Sequence, residues 1–255
     1  MDSTQRFSSR VDDYVKYRPS YPSAIVDDLF SDRILHSGAT VADIGSGTGL
    51  LAKIFLDRNV TVIGIEPNAE MRAAGDQFLS SYPHFTSRPG RAEETGLPAE
   101  SVDLITAGQA FHWFDPPAAK IEFRRILRDR AAPSGHVALI WNERKVDTSP
   151  FLQGYEAMMK RVSADYEKVD HRRVTDDTMR AFFAPGTMTL RTYPNAQAFD
   201  LTGLRGRVLS SSYAPQAGQP HHEAMMQTLD DLFARHQNNG AVLFEYETKV
   251  YTGKA

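Results

Sequence analysis

Val41-Ala42-Asp43-Ile44-Gly45-Ser46-Gly47-Thr48-Gly49 (VADIGSGTG) is a short apolar strand that runs into three alternating glycines. A glycine turn between a strand and a helix lets backbone approach a nucleotide closely, so its spacing carries the information. A dinucleotide fingerprint puts its third glycine three residues after the second, where it permits close helix packing. Here Leu50 stands at that place and Gly49 supplies the third glycine, giving G-x-G-x-G. A phosphate-binding loop needs Gly-Lys followed by Ser or Thr, and none follows. Asp43 ends the strand. A carboxylate there repels a pyrophosphate but can orient a ligand that carries an ammonium group.

The next apolar run, Val60–Ile65 (VTVIGI), ends in Glu66. An acidic side chain at that point can accept hydrogen bonds from both hydroxyls of a ribose. A glycine turn with a carboxylate before it, a ribose acceptor after it and no phosphate site fits S-adenosylmethionine better than NAD.

The pattern around this turn alternates. Thr40–Ile44, Val60–Ile65, Phe85–Pro89, Val102–Ala107, Gly135–Trp141, Met188–Phe199 and Val242–Tyr251 read as strands. Helical spacing falls at Ser3–Tyr17, Tyr21–Leu35, Leu50–Asp57, Asn68–Ser80, Pro117–Leu127 and about Pro220–Gln237. Such alternation predicts an α/β fold, a doubly wound and mostly parallel seven-stranded sheet with helices on both faces. One of the last two strands is expected to run antiparallel. From Asp147 to Gly186 the alternation gives way to a charged, helical stretch (YEAMMKRVSADYEKV). The expected organisation is an N-terminal helical cover over 1–35, a core built from 36–145 and 187–255, and a helical lid over 146–186.

The 255 residues suit one large domain that buries its core without staples. There is no cysteine, which removes disulfides, thiolate metal sites, a cysteine nucleophile and a cysteine-bound iron–sulfur cluster. The formal net charge of −3 gives no footprint for nucleic acid or an anionic membrane. No signal-like or membrane-length apolar run is present. A cytoplasmic location, a monomer or homodimer, and no nucleic-acid or membrane partner are the expectations. No metal is expected either, since His221-His222 are adjacent in a polar stretch after a proline.

On these residues the chain resembles the class I methyltransferases that depend on S-adenosylmethionine, with their Rossmann-like fold. VADIGSGTG is similar to that family's first signature and VIGIEPNAEM to its second. GRAEETGLPAESVDLITAGQAFHWF is similar to its adenine-contacting segment and the strand after it. The N-terminal Tyr17–Pro22 (YRPSYP), the Phe111–Phe114 element (FHWF) and the late Ser210–Tyr213 (SSSY) resemble the small-molecule, trans-aconitate methyltransferase-like branch.

The resemblance implies a cofactor site made from Asp43, Gly45, Ser46, Gly47 and Gly49, with Glu66 and Pro67 at the ribose. Met71, Ala92 and Glu93 would lie by the adenine. Gln109, Arg18 and Tyr14 would serve the amino-acid end, since a guanidinium grips a carboxylate as a fork. His112, Trp113, Trp141 and Tyr213 are the expected acceptor site. Two tryptophans at adjacent strand ends make an aromatic wall that favours a sulfonium by cation–π attraction. His112 is the candidate catalytic base, because imidazole titrates in the useful range. The implied reaction moves a methyl group from S-adenosylmethionine to a small molecule and leaves S-adenosylhomocysteine. A nucleic-acid or protein methyltransferase and a non-catalytic binder of the same cofactor are the alternatives.

Overall fold

The computed structural model describes residues 17–128, 135–163, 166, 175–211 and 213–254. The predicted Ser3–Tyr17 helix lies outside them except for Tyr17, and so do Tyr14 and part of the charged stretch after Ser163.

Seven strands form one sheet in the order β3-β2-β1-β4-β5-β7-β6. They are β1 (Thr40–Ile44), β2 (Thr61–Ile65), β3 (Phe85–Arg88), β4 (Leu104–Gly108), β5 (His136–Arg144), β6 (Met188–Phe199) and β7 (Val242–Lys254). The first five pair in parallel. β7 is antiparallel to both β5 and β6, so it is the one reversed strand, as the sequence leads one to expect. The order reverses between β1 and β4. Open sheets bind ligands at that switch point, beyond the carboxyl ends of the strands.

The helices are α1 (Ala24–Ser31), α2 (Leu50–Leu56), α3 (Ala69–Phe78), α4 (Pro116–Ile126), α5 (Pro150–Val162), α6 (Asp176–Phe183), α7 (Leu201–Leu209) and α8 (His222–His236). Local chemistry sets their starts. The Asn68 side chain accepts from the Glu70 and Met71 amides, and Asp115 caps α4 with Pro116 in its first turn. Asp200 accepts from the Gly203 amide at 2.7 Å and starts α7.

Three apolar clusters hold the layers together. On one face Phe123 and Ile126 of α4 and Phe182 and Phe183 of α6 pack on Val137, Leu139 and Tyr251. On the other face Ile25 and Leu29 of α1 and Phe55 of α2 pack on Val41, Leu104 and Ile140. The third cluster joins α5, α7 and α8 around Tyr155, Leu204, Leu229 and Phe244. Burial of side chains this size is worth about 1.5–3 kcal/mol each. Within the predicted lid, α5 is therefore part of the packed body, docked on α8.

Two elements depart from the sequence reading. α7 was not expected; its apolar positions are few and interrupted by Gly203 and Gly206, yet Leu204 and Val208 are fully buried. β5 runs on to Arg144 because β7 continues to pair with it, Asn142 with Thr248 and Arg144 with Tyr246. Among the described residues no helix is long and apolar enough to cross a membrane.

Candidate active site

A cavity of about 690 Å³ opens at the carboxyl ends of the parallel strands. Its size falls within the range of small-molecule and cofactor sites, about 300–1,000 Å³. The turn after β1 supplies one wall. The Gly45 and Ser46 amides both reach Ile65 O, at 2.8 and 3.2 Å, stitching the turn to the end of β2. Gly45 has φ +67°, and a Cβ there would meet the Ala110 Cβ at 2.6 Å. Gly47 has φ +54° and lines the cavity, where an added Cβ would meet only the Met71 Cε, at 3.4 Å. Gly45 is required by the fold, whereas Gly47 keeps space open for a ligand.

Glu66 faces this wall, and backbone fixes its carboxylate. Oε2 accepts from the Gly47 amide at 2.9 Å and Oε1 from the Asn68 amide at 2.8 Å. Each oxygen retains a lone pair for a ligand hydroxyl. Burial raises the Glu66 pKa, against the pull of those two amides and of Arg72. Asp43 sits behind the wall. It is 1% exposed, and its Oδ1 accepts from Thr106 Oγ1 at 3.0 Å. Burial pushes its pKa up to about 7; the Thr106 hydrogen bond opposes this and the nearby Glu66 charge adds to it. Pro67, Met71, Ala92 and Glu93 line the far side of the same wall. Glu93 is held in place by the Asp115 amide, which donates to its Oε1 at 2.7 Å. Ser46 and Gly49, like Asp43, do not reach the cavity surface. The Ser46 Oγ instead lies against Gly64.

Gln109 follows β4 with φ +55°, a conformation unusual for a residue with a side chain. Its amide donates to Ile140 O at 2.9 Å and its Nε2 to Asn142 O at 3.0 Å. The Oε1 is buried without a partner, an acceptor left over at the cavity edge. Arg18 lines the cavity and donates from Nη2 to Ser210 O at 3.0 Å.

Residues 42–134 match a family model described as a methyltransferase domain. This chain carries a methyltransferase domain. A similar curated protein is an uncharacterized methyltransferase of Mycobacterium tuberculosis strain H37Rv, 36% identical over 143 residues, which are 56% of this chain and 54% of that one. The match thus spans about half the length of that relative. An uncharacterized methyltransferase-like protein of Schizosaccharomyces pombe is 26% identical over 97% of this chain and 94% of its own. Among solved structures, a chain described as a type II methyltransferase from Anaeromyxobacter dehalogenans superposes with a TM-score of 0.66. Its 18% identity, over 93% of this chain and 98% of that one, speaks for the fold.

The loop after β4 of the methyltransferase domain carries the aromatic wall. Phe111 is buried in the core, while His112, Trp113 and Phe114 line the cavity. The His112 ring lies 4.4 Å from that of Trp113 and 5.5 Å, edge on, from that of Trp141. His112 is reachable from the cavity, yet the protein around it desolvates the ring and lowers its pKa to about 4. It is therefore neutral at physiological pH and a weak proton acceptor. Trp113, 42% exposed, stands at the mouth, and Trp141, 5% exposed, at the base. Tyr213 lines the cavity opposite.

Sequence reading missed the β5–β7 end of the cavity, where Asn142, Arg144, Arg207, Tyr246 and Lys249 line it. The polar Asn142-Glu143-Arg144 directly after an apolar strand was an available signal, since strand carboxyl ends hold ligands. Arg207 gave none, because a single arginine on a short helix reads as a surface residue.

Proposed function

We propose that this chain transfers a methyl group from S-adenosylmethionine to a small-molecule acceptor. The observation that carries the reading is the single cavity shared by a glycine turn with a pinned Glu66 carboxylate on one side and the His112–Trp113–Trp141 wall on the other. The residues suit the cofactor. Glu66 has lone pairs for the ribose, and Pro67, Met71 and Ala92 offer an apolar surface to the adenine. The unpartnered Gln109 Oε1 suits the ammonium, and the Arg18 guanidinium suits the carboxylate. Asp43 lies behind the glycine turn with its pKa pushed up to about 7, and a cationic ligand in front of it would favour its charged form.

When bound, S-adenosylmethionine supplies an electrophilic methyl on a sulfonium. The protein's part is orientation in a dry site, a contribution that can reach ~7–11 kcal/mol of a barrier. Trp113 and Trp141 exclude water and offer π faces to positive charge. His112, neutral at physiological pH, hydrogen-bonds the acceptor and aims it. The enclosed aromatic wall suits a compact acceptor with one polar handle near His112.

Incubation with methyl-labelled S-adenosylmethionine and fractionated metabolite pools tests the reading. Label transfer to a small molecule, with matching release of S-adenosylhomocysteine, is expected. Label confined to protein or nucleic acid, or cofactor binding without release across all pools, would contradict it.

A further inference from the structure

We propose that Asn195 and Gln197, on the edge strand β6, are positioning residues that latch the strap of residues 17–21 against the cavity and so place Arg18 and Tyr21 beside the cofactor. The inference rests on the methyl-transfer reading for the identity of that ligand, while the latch itself stands on hydrogen bonds to the strap backbone.

Residues 18–22 belong to neither helix nor strand, and Pro19 and Pro22 carry no amide hydrogen. The carbonyls of such a segment need partners from outside it. Three side-chain amides supply them. Gln197 Nε2 donates to Arg18 O at 3.2 Å and lies 3.5 Å from Tyr17 O. Asn195 Nδ2 donates to Ser20 O at 2.8 Å, and Asn142 Nδ2 donates to the same oxygen at 3.2 Å.

The two-residue period of a strand puts Tyr193, Asn195 and Gln197 on one face of β6. The Tyr193 hydroxyl donates to Asp28 Oδ2 of α1 at 2.7 Å. Successive positions along this face therefore meet Asp28, then Ser20, then Arg18, and the N-terminal segment runs back along the strand.

Neighbours fix the direction of each amide. Gln197 Oε1 accepts from the Tyr246 hydroxyl at 3.2 Å, which turns its nitrogen toward the strap. Asn142 Oδ1 accepts from Thr248 Oγ1 at 2.5 Å and from Asn195 Nδ2 at 3.2 Å. Asn142 also joins the latch to the cofactor end, because its carbonyl accepts from Gln109 Nε2. Both ends of the strap are seated on glycine. A Cβ on Gly206 would fall 2.1 Å from Tyr17 Cε2, and one on Gly108 would fall 2.6 Å from the Tyr21 hydroxyl. Gly108, Arg18 and Tyr21 line the cavity, and Asn195 and Gln197 are not among its lining residues. Removing either amide thus leaves the cavity wall intact and frees only the strap.

Asn195→Ala, Gln197→Ala, the double variant and Gln197→Met, which keeps length without a donor, test the latch. Hydrogen exchange of the free protein should speed up over residues 17–21 in each variant and leave α5 unchanged. S-adenosylhomocysteine affinity, read by calorimetry, should fall by about 2- to 10-fold in each single variant, the reach of one neutral hydrogen bond, and further in the double. Gln197→Met should match Gln197→Ala, which separates the hydrogen bond from packing. A parent protein that binds no S-adenosylhomocysteine would mark failure of the cofactor reading and take the positioning role with it. That result is distinct from a parent that binds and variants that bind equally well. Strap exchange unchanged in the double variant, affinity kept despite a freed strap, or exchange raised alike in α5 would each overturn the proposal.

Discussion

Asp43, next to last in β1, is almost completely buried, with a hydrogen bond from Thr106 and the Glu66 carboxylate nearby, and that position costs stability. Unfolded, it titrates near 3.8; folded, at about 7. Between these values the folded state holds a proton that the unfolded state has lost, so stability falls as pH rises. The slope is about 1.4 kcal/mol per pH unit for one proton. Asp43→Asn should lack this component and gain stability over the parent from pH 5 to 7, as read by denaturant unfolding across that range. Parallel pH curves for the two proteins would contradict the placement. His112 calls for a different pH experiment. With its pKa lowered to about 4 because the protein around the ring desolvates it, it stays neutral above pH 5, and the pH–rate profile should show no inflection of its own near 6.5. His112→Ala should slow turnover by less than ~10²-fold, below the usual reach of a general base. A limb near pH 6.5 that vanishes in the variant would restore His112 as a base.

The β1–α2 turn shows how one short element divides fold from function. Gly45 and Gly47 both have positive φ, but only Gly45 would drive a Cβ into backbone-anchored neighbours. Gly45→Ala should therefore lower stability by roughly 1–3 kcal/mol, the cost of a strained site. Gly47→Ala should cost less in stability and more in cofactor affinity, since its Cβ points into the space beside Met71. Thermal unfolding and calorimetry on the two variants separate the effects, and equal stability losses would contradict the division. This turn was legible in sequence because glycine spacing reports backbone directly. The strands were legible for a similar reason, as apolar runs such as GHVALIW can serve little but a buried parallel strand. α7 and the end of β5 were not legible. α7 owes its existence to tertiary burial of Leu204 and Val208, and the extension of β5 to a partner more than 100 residues away in the chain. Arg207 and Arg144 became site residues only through those two elements.

Across the whole molecule the cavity is roofed from two directions. Arg18, Pro19 and Tyr21 approach from the N-terminal side, and Thr175, Asp176 and Arg180 from the start of α6. Closure by such segments would exclude water and complete the alignment that methyl transfer needs. Hydrogen exchange should show Tyr17–Tyr21 and Asp176–Phe183 gaining protection when S-adenosylhomocysteine is added, and indifference of both would count against a cover. α5, docked on α8 in the third core cluster, should change little. All of this depends on which ligand fits the glycine turn. Calorimetry with S-adenosylmethionine, S-adenosylhomocysteine and NAD puts that question directly to the protein. The buried Asp43 behind the turn and Leu50 in place of a third fingerprint glycine predict binding of the first two ligands and none of NAD, whereas NAD binding as tightly as S-adenosylhomocysteine would contradict the account.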